Sequence, residues 1–503
     1  MESVNAAMAR GAAWNVLFRV ADRTIGLLST VILARLLVPA DFGLVALATA
    51  LFGLLALLGD FGFDIALIQN PRAERRHFDT VWTFNVIVGL ATALALVALA
   101  HPLAHGYDEP RLVPIVYALA VTRAVSCFEN IGIVALRKDM AFDREFRFSL
   151  YKRLATTFLA TIPLAFLWRD YRALVGGTIA GSCFGLALSY LLHPYRPRLS
   201  LAAMRELLGY SKWLQLANIV AFASGRAADF IIARMAGAAA LGFFTIAKEI
   251  ARLPSTELAA PIHRGVFPGY AKVAADPILL KSAYLKVVSV IVLVVFPAGI
   301  GLSLVADPVV AIFFGEKWSD MAPLIQILAV NGVLGISLST AAYVFLAQGT
   351  PRHTTTMVVF QAVVSIVLML WLVPRSGVRG AAVAMLVSTI AAVPLNFRLM
   401  SNAVGLTARD IWTIAWRPAT ATLVMVGAVL IVAQQGWSTA RTLQANALNL
   451  VAAVTIGACV YGGTVFLLWR IAAPSASAEA FVLQRFQGGL VAFGRFVRAL
   501  RKK

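Results

Sequence analysis

Arg19, Arg23, Arg123, Arg226, Lys248 and Arg252 each fall inside a long, mostly apolar stretch of the 503-residue chain. Arg19 and Arg23 are four apart, so they share one helical face, with Asp22 beside them. Lys248 and Arg252 repeat that spacing with Glu249 adjacent, and Arg226 lies three residues before Asp229. Asp60 and Asp64 form a further i,i+4 pair of carboxylates. A cation at the centre of a bilayer costs about 2.5–3.5 kcal/mol on insertion scales, so it has to face water or a partner. Arginine offers a bidentate fork that matches phosphate oxygens. Arg19, Arg23, Arg226, Lys248 and Arg252 are therefore candidates to bind an anion. Asp22, Asp60, Asp64, Asp229 and Glu249 are candidates to couple transport to a proton or Na⁺. The same residues also suit structural ion pairs: Arg19 or Arg23 with Asp22 or Asp64, and Arg226 with Asp229.

The elements that position these side chains follow from composition. The chain is 60% hydrophobic and only 14% charged, with a mean hydropathy of +0.81. Soluble domains carry roughly 25% charged residues, and a soluble fold has nowhere to hide this much apolar surface. In hydrocarbon the backbone must satisfy itself, which leaves helices of about 20 residues or a closed barrel. The alternating ten-residue segments of a barrel are absent. The expected class is an all-α integral membrane protein with about fourteen spans: 12–37, 41–69, 79–101, 112–136, 147–168, 171–193, 207–235, 240–262, 285–306, 321–347, 355–374, 379–400, 411–434 and 446–470. Other cations near span ends, namely Arg35, Lys152, Arg153, Lys212, Arg234 and Arg417, are expected to snorkel to headgroups.

The net charge of +20 follows topology rather than a nucleic-acid surface, because the basic residues punctuate apolar segments instead of pooling in one patch. With the N-terminus in the cytoplasm, the inside segments hold 25 Lys and Arg and the outside loops hold 7. That asymmetry favours an even number of spans with both termini inside. A repeat supports the count. Shifting the first span by 199 residues superposes it on the seventh without a gap, pairing Trp14 with Trp213, Gly26 with Gly225, Ala34-Arg35 with Ala233-Arg234 and Gly43 with Gly242. Six spans per repeat make the halves parallel, related by an axis along the membrane normal. The expected organisation is an N-lobe at 1–200, a C-lobe at 201–405, two extra spans within 406–474 and a basic tail at 475–503. Phe486, Leu490, Phe493, Val497 and Leu500 alternate in that tail with arginines, which suits an amphipathic helix on an anionic leaflet.

Six segments in order carry a resemblance: LARLLVPADFGLVALA from Leu33, FGFDIALIQ from Phe61, FPGYAKV from Phe267, FFGEKWSDMAPLIQILA from Phe313, LAQGTPR from Leu346 and GVRGAAVA from Gly377. Together they resemble the Wzx-type polysaccharide transporters, the oligosaccharide flippases of the multidrug/oligosaccharidyl-lipid/polysaccharide exporter superfamily. The resemblance covers roughly residues 10 to 400. It implies two lobes around a central cavity faced by spans 1, 2, 7 and 8. It also implies translocation of undecaprenyl-diphosphate-linked repeat units across the bacterial inner membrane for O-antigen, capsule or exopolysaccharide synthesis. A polysaccharide polymerase and chain-length proteins would then be partners.

Two other classes remain open. A cation-coupled drug exporter of the same superfamily would favour an acidic, aromatic cavity, whereas the deep charges here lean basic. A membrane glycosyltransferase or polymerase would need a sizeable outside loop for its catalytic groups, and the longest, Asp307 to Asp320, is short. The chain carries neither a Walker motif nor a metal-ligand spacing among its three cysteines and six histidines, so no catalytic residue, metal or cofactor is expected.

Overall fold

The computed structural model describes residues 2–58, 63, 67, 73–138, 141–434 and 443–472. Every regular element among them is helical. In chain order these are α1 (Glu2–Leu36), α2 (Pro39–Leu58), α3 (Arg75–Gly106), α4 (Leu112–Ser126), α5 (Gly132–Lys138), α6, α7 (Tyr171–Leu192), α8 (Met204–Ala251), α9 (Ala259–Val273), α10 (Pro277–Leu304), α11 (Ala306–Phe313), α12 (Ala322–Ala347), α13 (Pro351–Val404), α14 (Ala408–Gln434) and α15 (Leu443–Ala472). The element α6 comprises Phe142–Leu154, a π-helical turn Ala155–Thr161 and Ile162–Trp168. Among the described residues, nine helical stretches are long and apolar enough to cross a membrane. The basic tail at 475–503, Asp60 and Asp64 lie outside the described residues.

Two long helices contain a break where the sequence predicts a turn between spans. Gly237 (φ 87°) divides α8 and Gly377 (φ 57°) divides α13. Both angles are in the left-handed region that glycine enters without steric cost. Helix starts are fixed by conventional caps. Asp170 accepts the Arg172 amide at 2.9 Å ahead of α7, and Asp276 accepts the amides of Ile278 and Leu279 ahead of α10.

The chain forms two compact units, residues 1–245 and 246–503. In the first, α4 lies against α3 and α7, and α7 against α6. Gly177 and Gly181 of α7 leave room for Thr161 and Thr156 of α6, so the two helices approach closely. The π turn places the Thr161 hydroxyl on the Thr156 carbonyl, five residues back, at 2.8 Å. In the second unit, a core cluster gathers Tyr270 of α9, Tyr284 and Val288 of α10, Phe345 of α12 and Met400 of α13.

Span 4, expected as one helix over 112–136, is instead two pieces, α4 and α5, separated at 127–131. Asn130 fixes the break. Its amide donates to Ser189 Oγ at 3.0 Å, its side-chain nitrogen donates to the carbonyls of His193 and Tyr195, and its side-chain oxygen accepts from the Gly132 amide at 2.9 Å. These bonds satisfy backbone groups that hydrocarbon would leave unpaired.

The segment after α7 is a docked strap rather than a loose loop. Asp79 Oδ1 accepts the Arg198 amide at 2.9 Å and the Tyr195 hydroxyl at 2.8 Å. Thr83 accepts the Ser200 amide and Thr80 the Ala203 amide. These contacts account for the burial of Asp79, Thr80 and Thr83 in the first turns of α3. Burial, then the hydrogen bond to Asp79, pushes the Tyr195 phenol above its ordinary range.

Candidate functional site

In the first unit, Arg19 is exposed on α1 and Arg23 is half-buried one turn later. Asp22 meets Arg153 of α6, with Nε and Oδ1 3.2 Å apart. Arg153 lies over Gly26, whose missing side chain leaves the space. Gly26 is thus a close-packing residue. Arg153 and its neighbour Lys152 were expected to snorkel to headgroups, and both are ion-paired instead. Lys152 Nζ contacts Glu129 Oε1 beside Gly185 of α7. Glu129 lies in the break of span 4, a carboxylate outside the sequence-based candidates. Arg234, the third such cation with a partner, reaches Asp108 at 3.2 Å.

Arg226 and Asp229 form the expected i,i+3 pair at 2.9 Å, with Asp229 buried and Arg226 half-exposed. Arg123 of α4 runs alongside Gly89 of α3, its Nε buried without a hydrogen-bond partner. In the second unit, Lys248 and Glu249 are half-buried and Arg252 is exposed. The Arg252 carbonyl accepts the Thr256 amide at 2.9 Å, just where Pro254 opens a π-helical turn, Pro254–Leu258. The i,i+4 relation of Lys248 and Arg252 holds in the helix, since the Arg252 amide donates to the Lys248 carbonyl.

Chemically this is a set of cations held in apolar helices, several opposed by a single carboxylate each. Charged side chains that stay one-third to one-half accessible inside spans require water rather than lipid around them. Cations held this way can make charge-assisted contacts to an anion. The loop between α3 and α4 adds a separate, half-exposed pair, Glu109 with Arg111 at 2.8 Å, in which Arg111 holds the Glu109 carboxyl below its usual range.

A helical, multi-pass membrane protein with charges lodged within its spans belongs to the class of polytopic transporters. The chain matches the family described as "Polysaccharide biosynthesis protein" over residues 32–323, and it belongs to that family. It is 28% identical to the lipopolysaccharide biosynthesis protein WzxC of Escherichia coli over 328 residues, 64% of this chain and 66% of that protein. It is 24% identical to the succinoglycan biosynthesis transport protein ExoT of Rhizobium meliloti, over 66% of this chain and 68% of that one. It thus spans about two thirds of the length of each. Among solved structures, the lipid II flippase MurJ superposes with a TM-score of 0.69 at 13% identity, over 91% of this chain and all of that one. A multidrug resistance transporter of the MATE family in its inward-facing conformation gives 0.57 at 17% identity, over 77% of this chain and 96% of that one. These likenesses define a shared fold.

Proposed function

We propose that this protein is a flippase. It moves undecaprenyl-diphosphate-linked oligosaccharide repeat units across the inner membrane, for the synthesis of an O-antigen, capsule or exopolysaccharide. Transport rather than catalysis is its activity. The observation that carries this reading is the excess of cations within the spans of the first unit. Among the described residues, Arg19, Arg23, Arg35, Arg123, Lys152, Arg153, Arg226 and Arg234 lie within those spans, against Asp22, Asp41, Asp79, Glu129 and Asp229. A diphosphate entering hydrocarbon alone would meet a prohibitive desolvation cost, and charge-assisted contacts to several cations offset it. Family membership and the names of the relatives point to the same substrate class.

In this reading Arg19, Arg23, Arg226, Lys248 and Arg252 contact the substrate along its path. Asp22, Asp60, Asp64, Asp229 and Glu249 are the carboxylates available for coupling to a proton or Na⁺. The protein has about fourteen spans with both termini cytoplasmic, as two parallel six-span halves and two C-terminal spans, and works by alternating access. A polysaccharide polymerase and chain-length proteins take over its product. The decisive experiment deletes the gene in a strain whose chain-building enzymes are intact. Lipid-linked repeat units should accumulate on the cytoplasmic face, and the cloned gene should restore their export. Normal export in the deletion strain, with no second transporter present, overturns the proposal.

A further inference from the structure

Lys152 and Arg153 are consecutive, so their side chains leave α6 about 100° apart and reach different neighbours. Lys152 takes Glu129 in the break of span 4, and Arg153 takes Asp22 on α1. Each cation occupies a slot that a glycine keeps open, Gly185 for Lys152 and Gly26 for Arg153. The four charges share one level. At 1.5 Å per residue, Asp22, Lys152, Arg153 and Gly185 all lie about 21–24 Å below the outer ends of their helices. Glu129 follows the 15 residues of α4, which places it at much the same level.

Three features make this cluster more than a structural clamp. The pairs are accessible, with side-chain exposures of 33% and 26% for Lys152 and Glu129, and 40% and 47% for Arg153 and Asp22. Charges so exposed need water beside them, reached along a path or by snorkelling to the nearer headgroups. The Arg153 Nε approaches Asp22 at 3.2 Å without an aligned hydrogen bond, so this nitrogen of the fork stays unmatched. Arg123, less than two helical turns before Glu129 in the chain, adds a buried Nε without a hydrogen-bond partner.

We propose that Lys152 and Arg153 form a second phosphate-binding subsite, masked in this conformation by Glu129 and Asp22, which an incoming diphosphate displaces. The inference rests on the diphosphate-lipid reading and adds residues of span 5 and of the span 4 break to it. Half-exposed ion pairs are weak, whereas a diphosphate brings more than one negative charge and the bidentate geometry that suits the Arg153 fork. The subsite lies on the cytoplasmic side of the bilayer centre if the N-terminus is cytoplasmic, where a headgroup from the inner leaflet would arrive first.

The test uses the full chain purified in detergent and farnesyl diphosphate as probe, with binding read by intrinsic tryptophan fluorescence. Glu129→Gln should tighten binding by about tenfold, and Glu129→Gln combined with Lys152→Gln should lose that gain. If Glu129→Gln does not fold, Asp22→Asn with and without Arg153→Gln carries the same comparison. Inorganic diphosphate should compete, which assigns recognition to the phosphates. Equal affinity of the single and double variants overturns the subsite while leaving the flippase reading intact. Competition by phosphatidylglycerol as strong as that by diphosphate also overturns it, in favour of a general lipid contact. Failure of the wild type and every variant to bind the probe overturns the diphosphate reading and the subsite together.

Discussion

Gly43 and Gly242, equivalent in the 199-residue repeat, face each other in a reciprocal contact. A Cβ on Gly43 would overlap the Ala238 carbonyl, and a Cβ on Gly242 would overlap the Pro39 carbonyl. Residues 39 and 238 are themselves repeat equivalents, so each half presents the same patch to the other, as across a local two-fold axis. The segments 39–43 and 238–242 therefore lie side by side within the first unit. Gly43→Val or Gly242→Val should force these segments apart. We expect labelling of an Ala40→Cys reporter by a membrane-impermeant maleimide to rise several-fold, and flipping to fall. Unchanged labelling in both variants would show that the contact does not hold the segments together.

The strap on α3 predicts a stability effect far from any transported group. Asp79 accepts two hydrogen bonds from the strap while buried. Asp79→Ala leaves the Arg198 amide without its acceptor and the Tyr195 hydroxyl with the Arg75 carbonyl as its remaining one, at a cost of about 1–3 kcal/mol. The thermal midpoint in detergent should drop by several degrees, and Thr83→Val should give a smaller loss. A midpoint equal to wild type for Asp79→Ala would mean the strap is not docked in solution.

The break in span 4 depends on Asn130 and on Gly132, where a Cβ would collide with the His193 ring. Asn130→Ala and Gly132→Val should both weaken the junction and free Glu129 from its place beside Lys152. Limited proteolysis at 193–203 should accelerate, because Asn130 also tethers the carbonyls of His193 and Tyr195. A resistant Asn130→Ala variant would contradict this coupling.

How far the sequence reveals these features depends on their range. Hydropathy marks out the apolar helices, and the turns at Gly237 and Gly377 fall where an apolar run is interrupted by a residue free to adopt positive φ. The Arg226–Asp229 pair is legible because both partners sit on one helix turn. The Arg153–Asp22 and Lys152–Glu129 pairs are not, since their partners are 131 and 23 residues away and nothing in local spacing brings them together. Span 4 reads as continuous for a related reason. Glu129 and Asn130 sit between apolar runs that pass for one helix, and the bonds that unwind it come from Ser189, His193 and Tyr195.

The half-exposed Glu109–Arg111 pair between α3 and α4 makes a pH prediction. Arg111 lowers the Glu109 pKa below its unfolded value of 4.5. A depressed carboxylate pKa contributes stability above the unfolded value, and that contribution is lost as pH falls through the folded one. The difference in thermal midpoint between wild type and Glu109→Gln should therefore be constant above about pH 5 and shrink toward zero in acid. A difference that grows in acid would reverse the sign of the interaction. The effect should be small, because half-exposed pairs of this kind are screened.

The sharpest prediction separates transport from structure at Arg23 and Arg252. Arg23 is half-buried on α1, and Arg252 is exposed at the start of the π turn. Arg252 is best placed for the test, because its exposed side chain can be removed with little loss of packing. Arg252→Ala should leave expression and thermal midpoint near wild type yet abolish flipping of lipid-linked repeat units in a complementation assay. Arg252→Lys should restore part of the activity, because it keeps the charge and loses the bidentate fork. Arg23→Ala should show the same loss of flipping with a modest fall in stability, since its side chain is partly packed. Suppose instead that either Ala variant fails to accumulate, and that neutralising a neighbouring carboxylate, Asp22→Asn for Arg23 or Glu249→Gln for Arg252, restores it. That residue then serves a structural pair, and the substrate path must be carried by the remaining cations.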